Sequence, residues 1–211
     1  MFAPLYHMDI KATVYGRNTL EFLTVAKEFC SFLEGCESYS TRNFVSASSK
    51  LLPLLYYKAA LLPETTPIYD EGNEQFVSEN DYVAVIQKVE GLLGQHDDFA
   101  EFNYQQPEGS FETITASIAE YLADIYQDLK NFTMRYQLGK EEIMNDAIWE
   151  CRENFGEYWG VRLVALIRAF HTLQFGDVDL DNIDEPEDSS KIDTSSWFIT
   201  RRQNDSNPFQ D

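Results

Sequence analysis

Histidine and cysteine are scarce in this chain, and their scarcity excludes most metal and nucleophile chemistry. The 211 residues include three of each, namely His7, His96, His171, Cys30, Cys36 and Cys151. No cluster has the spacing of a zinc site, and the Glu-x-x-His pairs of a di-iron helical bundle do not occur. An odd number of irregularly spaced cysteines argues against a disulfide framework. We therefore expect no metal and no other cofactor.

One metal alternative stays open, because carboxylates far apart in sequence can meet in a fold. Glu120, Asp124 and Glu150 could form such a site. The favoured interpretation of these residues is a solvated helix face, since charged residues on helices are mostly exposed.

Basic residues are also few, with 16 lysines and arginines against 36 acidic residues and a net charge of −20. Such a charge repels a phosphate backbone and an anionic membrane surface. No apolar run approaches the roughly 18 residues that span a bilayer, and the N-terminus lacks the pattern of a signal peptide. We predict a cytoplasmic protein that binds neither nucleic acid nor membrane. The acidity fits a partner with a basic patch.

The sequence lacks the common catalytic and nucleotide-binding motifs. It contains no P-loop, no Gly-x-Gly-x-x-Gly and no Gly-x-Ser-x-Gly. Cys151 falls on an apolar helix face and is predicted to be a core residue. Arg168 and His171 lie one turn apart and could exchange protons near neutral pH, but a pair of cations suited to a helix C-terminus is the favoured interpretation. No residue is assigned a catalytic role.

Apolar residues recur with a helical period, and this pattern predicts an all-α, single-domain bundle of about five helices. The predicted helices are 18–34, 41–62, 78–94, 111–138 and 141–174. Ser78 and Asp81 form a capping-box pattern at the start of the third. Pro53 predicts a kink in the second near residues 49–53, or two shorter helices. Residues 1–16 are expected to form an extended arm and residues 95–110 a loop.

A candidate polar site lies between the two long C-terminal helices. Trp159, Arg162 and Tyr158 could line a groove, with Asp124 or Asp128 on the neighbouring helix as charge partners. His171 is a further member. Asp124, Asp128 and Asn131 are expected to point away from the apolar face of their helix. The competing interpretation is that Arg162 forms a single structural ion pair at the edge of an apolar stripe. Gly156 and Gly160, one turn apart, predict close approach of another helix.

The composition changes after Phe175. Residues 176–211 carry ten acidic and three basic residues without a helical period, which predicts an acidic tail beside a helical domain of residues 1–175. Within the tail, Trp197, Phe198 and Ile199 are predicted to occupy a hydrophobic groove. That groove could belong to the same chain, which is favoured, to a second copy, or to a partner.

Four stretches resemble a bacterial family of all-helical proteins known as a domain of unknown function. They are residues 18–30 (NTLEFLTVAKEFC), 51–63 (LLPLLYYKAALLP), 122–130 (LADIYQDLK) and 144–160, which begins MNDA and ends YWG. The resemblance covers about residues 15–175 and implies a helical fold and a bacterial cytoplasmic setting. It implies no activity, so no catalytic residue follows from it, and the tail lies outside it.

These observations favour a non-catalytic interaction or scaffold protein whose partner is another protein or a second copy of itself. The alternative is an enzyme with a polar site between the two long C-terminal helices. The enzyme requires Asp124, Asp128 and Arg162 to converge with shifted pKa values. The interaction protein requires an exposed apolar surface.

Overall fold

The computed structural model describes residues 10–69, 74–102 and 113–181, and helices dominate it. The elements, in chain order, are α1 (Ile10–Val14), α2 (Arg17–Glu34), α3 (Thr41–Ala59), α4 (Glu79–Leu93), β1 (Asp98–Phe102), β2 (Thr113–Ser117), α5 (Ile118–Gln137), α6 (Glu141–Asn154) and α7 (Gly160–Phe175). A π-helical turn, Phe155–Trp159, joins α6 to α7, and 3-10 turns occupy Cys36–Ser38 and Gly94–His96. The predicted all-α class is confirmed.

Serine side chains begin three of these helices. The predicted capping box is present: the Asp81 amide donates to Ser78 Oγ over 3.2 Å, and the Ser78 amide donates to Asp81 Oδ2 over 3.0 Å. Ser40 accepts from the amide of Asn43 in the same way. These bonds satisfy amide groups that a helix N-terminus leaves without intrahelical partners.

Helix α5 lies at the centre and packs against α2, α4, α6 and α7, while α3 lies between α2 and α7. The rings of Phe22 on α2 and Phe132 on α5 have centroids 5.2 Å apart. Helix α3 runs antiparallel to α7, because Phe44 meets Phe170 and Tyr56 meets Phe155 at ring distances of 5.9 and 5.3 Å. Burial of Phe22, Phe44, Phe132 and Phe170 contributes to the hydrophobic core that stabilises the fold.

The region between α4 and α5 differs from the prediction. Strands β1 and β2 pair antiparallel, with Asp98 opposite Ser117 and Phe102 opposite Thr113, where a loop and the start of a helix were expected. The sequence of β2, Thr-Ile-Thr-Ala-Ser, is rich in β-branched residues that favour strands. Ser117 then accepts from the amide of Glu120 and begins α5.

Two smaller differences concern α1 and α3. Part of the predicted arm is helix α1, and Val14 at its end is fully buried. Helix α3 continues through Pro53 as one helix, so the alternative of two shorter helices is wrong. Pro53 itself is exposed, whereas Leu52 and Leu55 on either side are buried in the core. Their packing offsets the backbone hydrogen bond that proline cannot make.

Among the described residues, no helix combines the length and apolarity needed to cross a bilayer.

Candidate functional site

The structure brings Asp124 on α5 together with Arg162 on α7. Arg162 Nε donates to Asp124 Oδ2 over 2.7 Å, and the Tyr82 hydroxyl donates to Oδ1 over 2.9 Å. The Asp124 residue is only 5% exposed. The expectation that Asp124 points away from the core is therefore wrong, because an arginine and a tyrosine from two other helices enclose its carboxylate.

Two aromatic rings hold the guanidinium of Arg162. Its central carbon lies 3.8 Å from the centroid of the Tyr158 ring and 5.2 Å from that of Tyr121. Such contacts with the faces of aromatic rings stabilise a cation, more strongly where water is partly excluded. The Arg162 side chain is 29% exposed. It is therefore fixed by one carboxylate and two rings and presents little of its charge to solvent.

Further carboxylates surround this pair. Burial raises the pKa of Asp124, although Arg162 and the hydroxyls of Tyr158 and Tyr82 act in the opposite direction. Burial, together with Asp124 and Asp97, raises the pKa of Glu120. Burial, followed by the charges of Asp97 and Glu120, raises the pKa of Glu90 to about 6. The environment thus opposes ionisation of several neighbouring carboxyl groups.

The tyrosines of the site are held in their neutral form. Burial, followed by the charge of Asp124, raises the pKa of both Tyr82 and Tyr158. At neutral pH they are therefore hydrogen-bond donors rather than bases. The cluster consists of a carboxylate that accepts hydrogen bonds and groups that donate them, which is the composition of a satisfied buried network.

The other predicted site residues make different contacts. Asp128 accepts from Asn154 Nδ2 over 2.5 Å. Trp159 is fully buried and its indole donates to the Cys151 carbonyl over 3.2 Å. His171 is exposed on α7, with its ring centroid 5.0 Å from that of Phe175. The structure thus pairs Asp124 with Arg162, while Trp159 belongs to the core.

The predicted tail residues Trp197, Phe198 and Ile199 lie outside the described residues.

A second polar network, which the sequence did not reveal, holds the segment that follows α3. Asp146 on α6 accepts from the amides of Ile68 and Tyr69 over 2.8 and 2.9 Å. Its neighbour Asn145 donates to the Thr66 carbonyl over 2.8 Å. Both side chains are 2% exposed. The available signal was the polar pair Asn145-Asp146 inside an otherwise apolar helical stripe.

Helix α5 holds the end of the same segment. Asn131 accepts from the amide of Phe76 over 2.7 Å, so the expectation that Asn131 points to solvent is also wrong. Arg135 is 3% exposed, donates to the Glu74 carbonyl over 2.8 Å and pairs with Glu150 over 2.7 Å. These groups replace backbone hydrogen bonds that an irregular segment cannot make with itself.

The described ranges contain no group of three histidine, cysteine, aspartate or glutamate side chains that could hold a metal ion. Of the three carboxylates considered from the sequence, Glu150 is paired with Arg135 and Asp124 with Arg162.

The outer surface of α3 and α7 differs from the rest of the protein in charge. No acidic residue occurs between Glu37 and Glu64 or between Glu157 and Asp177. Both helices lie within these stretches and carry five of the chain's 16 basic residues. Since α3 and α7 are neighbours on one core, their outer sides form one surface, the α3–α7 face. Its exposed residues include Lys50, Pro53, Leu54, Tyr57, Val161, Val164, Arg168, His171 and Phe175. Arg168 lies 3.5 Å from the carboxylate of Glu101 on β1.

The α3–α7 face exposes large apolar side chains. Val161 and Val164 are 60% and 52% exposed, Tyr57 is 57% exposed and Phe175 is 72% exposed. Lys50 donates to Ser46 Oγ and forms no ion pair with any described residue. The surface therefore combines exposed apolar groups with the positive charge of Lys50, while the other four basic residues of the two helices pair with carboxylates outside them.

Comparisons with known proteins identify a family and a similar solved structure. A crystal structure of protein BF1032 from Bacteroides fragilis is similar, with 40% sequence identity and a TM-score of 0.70 over 79% of this chain and 98% of that chain. A comparison with curated proteins finds no match. The profile of the family described as Domain of unknown function (DUF5063) matches residues 13–176, which confirms the resemblance inferred over about residues 15–175. The chain therefore belongs to the DUF5063 family.

Proposed function

We propose that this domain is a protein-interaction module that binds its partner on the α3–α7 face. The observation that carries the proposal is the coincidence, on two adjacent helices, of exposed apolar side chains with a complete lack of acidic residues. Exposed apolar surface of this kind is typical of interaction sites. More than half of the surface of Val161 and of Val164 is exposed, so a partner that covers them would bury additional apolar area.

The charge of the face defines the chemistry of the partner. The net charge of −20 favours basic partners at long range. Once two surfaces touch, however, the charged groups at the contact dominate the electrostatic energy, because salt screens charges beyond about 8 Å at physiological ionic strength. The nearest groups here include Lys50 and His171 around apolar side chains. The segment that fits them carries carboxylates beside aromatic or aliphatic residues.

The polar site between α5 and α7 contributes rigidity to this module. Asp124 accepts hydrogen bonds from two side chains, and Arg162 is enclosed by two rings. The pair fixes α7 against α5 and thereby fixes the outer side of α7. Preorganisation of a binding surface lowers the entropic cost of association.

The experiment is a comparison of three forms of the full chain in affinity capture from the cells that make the protein. The first is the natural sequence, the second carries Val161→Glu with Val164→Glu, and the third carries Leu20→Glu at a site on α2 that is 43% exposed. A partner that is retained by the Leu20 variant and lost at least tenfold by the double variant supports the proposal. Equal capture by all three forms, or capture by none, contradicts it.

The alternative is an enzyme whose polar site is built on Asp124 and Arg162. The convergence of these residues beside Glu120, Tyr82 and Tyr158, with raised pKa values, favours this candidate. A screen of small ligands by thermal shift, with Arg162→Met as the matched variant, tests it. A ligand that stabilises the natural protein and not the variant supports an active site between α5 and α7. A ligand that stabilises both equally counts against this position.

A further inference from the structure

The chain returns to the α3–α7 face after α7 ends. Val178 packs against the core, and Leu180 is 4% exposed. The next residue, Asp181, pairs with Arg42 at the start of α3, with Arg42 Nη2 2.8 Å from Oδ2 and Nε 3.3 Å from Oδ1. An acidic residue of the predicted tail thus already pairs with a cation of α3.

We infer that residues 182–199 of the same chain occupy the α3–α7 face. The inference rests on the proposed function, since it names a ligand for the proposed binding surface. The segment has the required chemistry: the acidic residues Asp184, Glu185, Glu187, Asp188 and Asp193 precede Trp197, Phe198 and Ile199. The carboxylates meet Lys50, which forms no ion pair among the described residues, and the three apolar side chains bury Val161 and Val164.

The distances along the chain allow the first contact. Lys50 lies eight positions after Arg42 on α3, which is roughly 12 Å along a helix. Glu185 lies four positions after Asp181, and four extended residues span up to about 14 Å. Four residues are therefore long enough to bring the carboxylate of Glu185 to the ammonium group of Lys50 while Asp181 stays paired with Arg42.

The chain is also long enough for the apolar contact. Trp197 lies 16 positions after Asp181, a span of at most roughly 55 Å. Helix α7 is roughly 24 Å long. Trp197 and Phe198 can therefore lie beside Val161 and Val164 at the far end of α7, with chain to spare.

Occupation by a segment of the same chain makes the tail a competitor of any partner. A tethered segment acts at an effective concentration on the order of millimolar. A partner must displace it, so the apparent association constant of the partner equals its intrinsic value multiplied by the fraction of molecules with a free face. Replacement of the tail's apolar residues should therefore increase partner binding.

Photo-cross-linking of the full chain tests the inference directly. A benzophenone amino acid replaces Val164, and in a control protein it replaces Leu20 on α2. Position 164 is expected to give cross-links to residues 182–199 within one chain, and position 20 is expected to give none. No tail cross-link from position 164, or cross-links only between two chains, would overturn the inference.

Charge reversal at Lys50 provides a second readout. Lys50→Glu should reduce the yield of the cross-link from position 164 several-fold. Lys27→Glu, which makes the same charge change at an exposed position on α2, should not alter it. Equal yields in the two variants would overturn the proposed carboxylate contact.

If the cross-link fails while capture still depends on Val161 and Val164, the interaction function stands without this ligand. If the cross-link forms while no captured protein depends on the face, the interaction function fails.

Discussion

Asp124 and Arg162 are 38 positions apart in sequence, yet their side chains lie 2.7 Å apart in a half-enclosed ion pair. Each charge depends on the other, because the low-dielectric surroundings leave few alternative partners. The pair joins α5 to α7, and the outer side of α7 is half of the proposed binding surface. The polar site and the α3–α7 face are therefore mechanically connected.

A double-mutant cycle should show this dependence. We expect Asp124→Leu to destabilise the protein by about 3 kcal/mol, because it leaves the Arg162 guanidinium without its carboxylate. The double variant Asp124→Leu with Arg162→Met should cost less than Asp124→Leu alone, since no uncompensated charge remains. Urea unfolding monitored by circular dichroism gives both values. Additive losses in the double variant would show that the two residues act independently.

Ionisation of Glu90 should lower the free energy of unfolding as the pH rises. Its folded pKa of about 6 lies above the ordinary value of 4.5. The free energy of unfolding therefore falls as the pH rises from about 4.5 through about 6, because the folded state binds this proton more tightly than the unfolded state does. Glu90→Gln should stabilise the protein by about 1–2 kcal/mol at pH 7.5 and leave it unchanged at pH 4.

The control for this prediction is Glu28→Gln at an exposed position on α2. It removes the same charge and should show no gain that appears with rising pH. A Glu90→Gln variant that is less stable than the natural protein at pH 7.5 would contradict the assigned surroundings of Glu90.

The two glycines of the π-turn region should respond oppositely to alanine. A Cβ at Gly160 would lie 2.2 Å from the backbone oxygen of Phe155, whereas a Cβ at Gly156 meets nothing within 4 Å. Gly160→Ala should cost about 2 kcal/mol or more, since the π turn must shift. Gly156→Ala should stabilise by up to about 1 kcal/mol, because alanine favours the helix. Thermal unfolding of both variants decides this, and equal effects would contradict the geometry of the turn.

Asp146 should control the segment between α3 and α4. Its carboxylate accepts from the amides of Ile68 and Tyr69. Asp146→Asn should accelerate hydrogen exchange at these two amides and cost about 1–3 kcal/mol, because a strong charged acceptor is lost. Glu142→Gln, at an exposed position on the same helix, is the matched control. Unchanged exchange at Ile68 and Tyr69 in the Asp146 variant would show that other bonds hold the segment.

The sequence was informative where local chemistry decides structure. The serine and aspartate at the start of α4 predicted a capping box, and the structure contains it. The apolar period likewise located the helical segments, because a stripe facing the core imposes that spacing. The hairpin was missed because β1 is short and its pairing depends on residues some 15 positions further along the chain.

Buried polar residues were the least predictable part of the candidate site. A helical period assigns Asp124 and Asn131 to solvent, because polar residues are mostly exposed. Their burial depends on Tyr82 and Phe76, which lie in distant parts of the sequence. The π turn was also missed, although Gly160 is the residue whose missing side chain permits it. The α3–α7 face could not be predicted because its two acid-free helices are far apart in sequence and become neighbours only in the fold.

The binding of an acidic aromatic peptide to the α3–α7 face is the most direct test of the ligand that we infer for the proposed binding surface. The peptide has the sequence of residues 182–199, and the protein is the full chain with Trp197, Phe198 and Ile199 each replaced by serine. Fluorescence anisotropy should show saturable binding that weakens with salt and is lost in Lys50→Glu or Val164→Glu, but not in Lys27→Glu or Leu20→Glu. Absence of binding, or binding that survives Val164→Glu, would contradict the occupation of this face by residues 182–199.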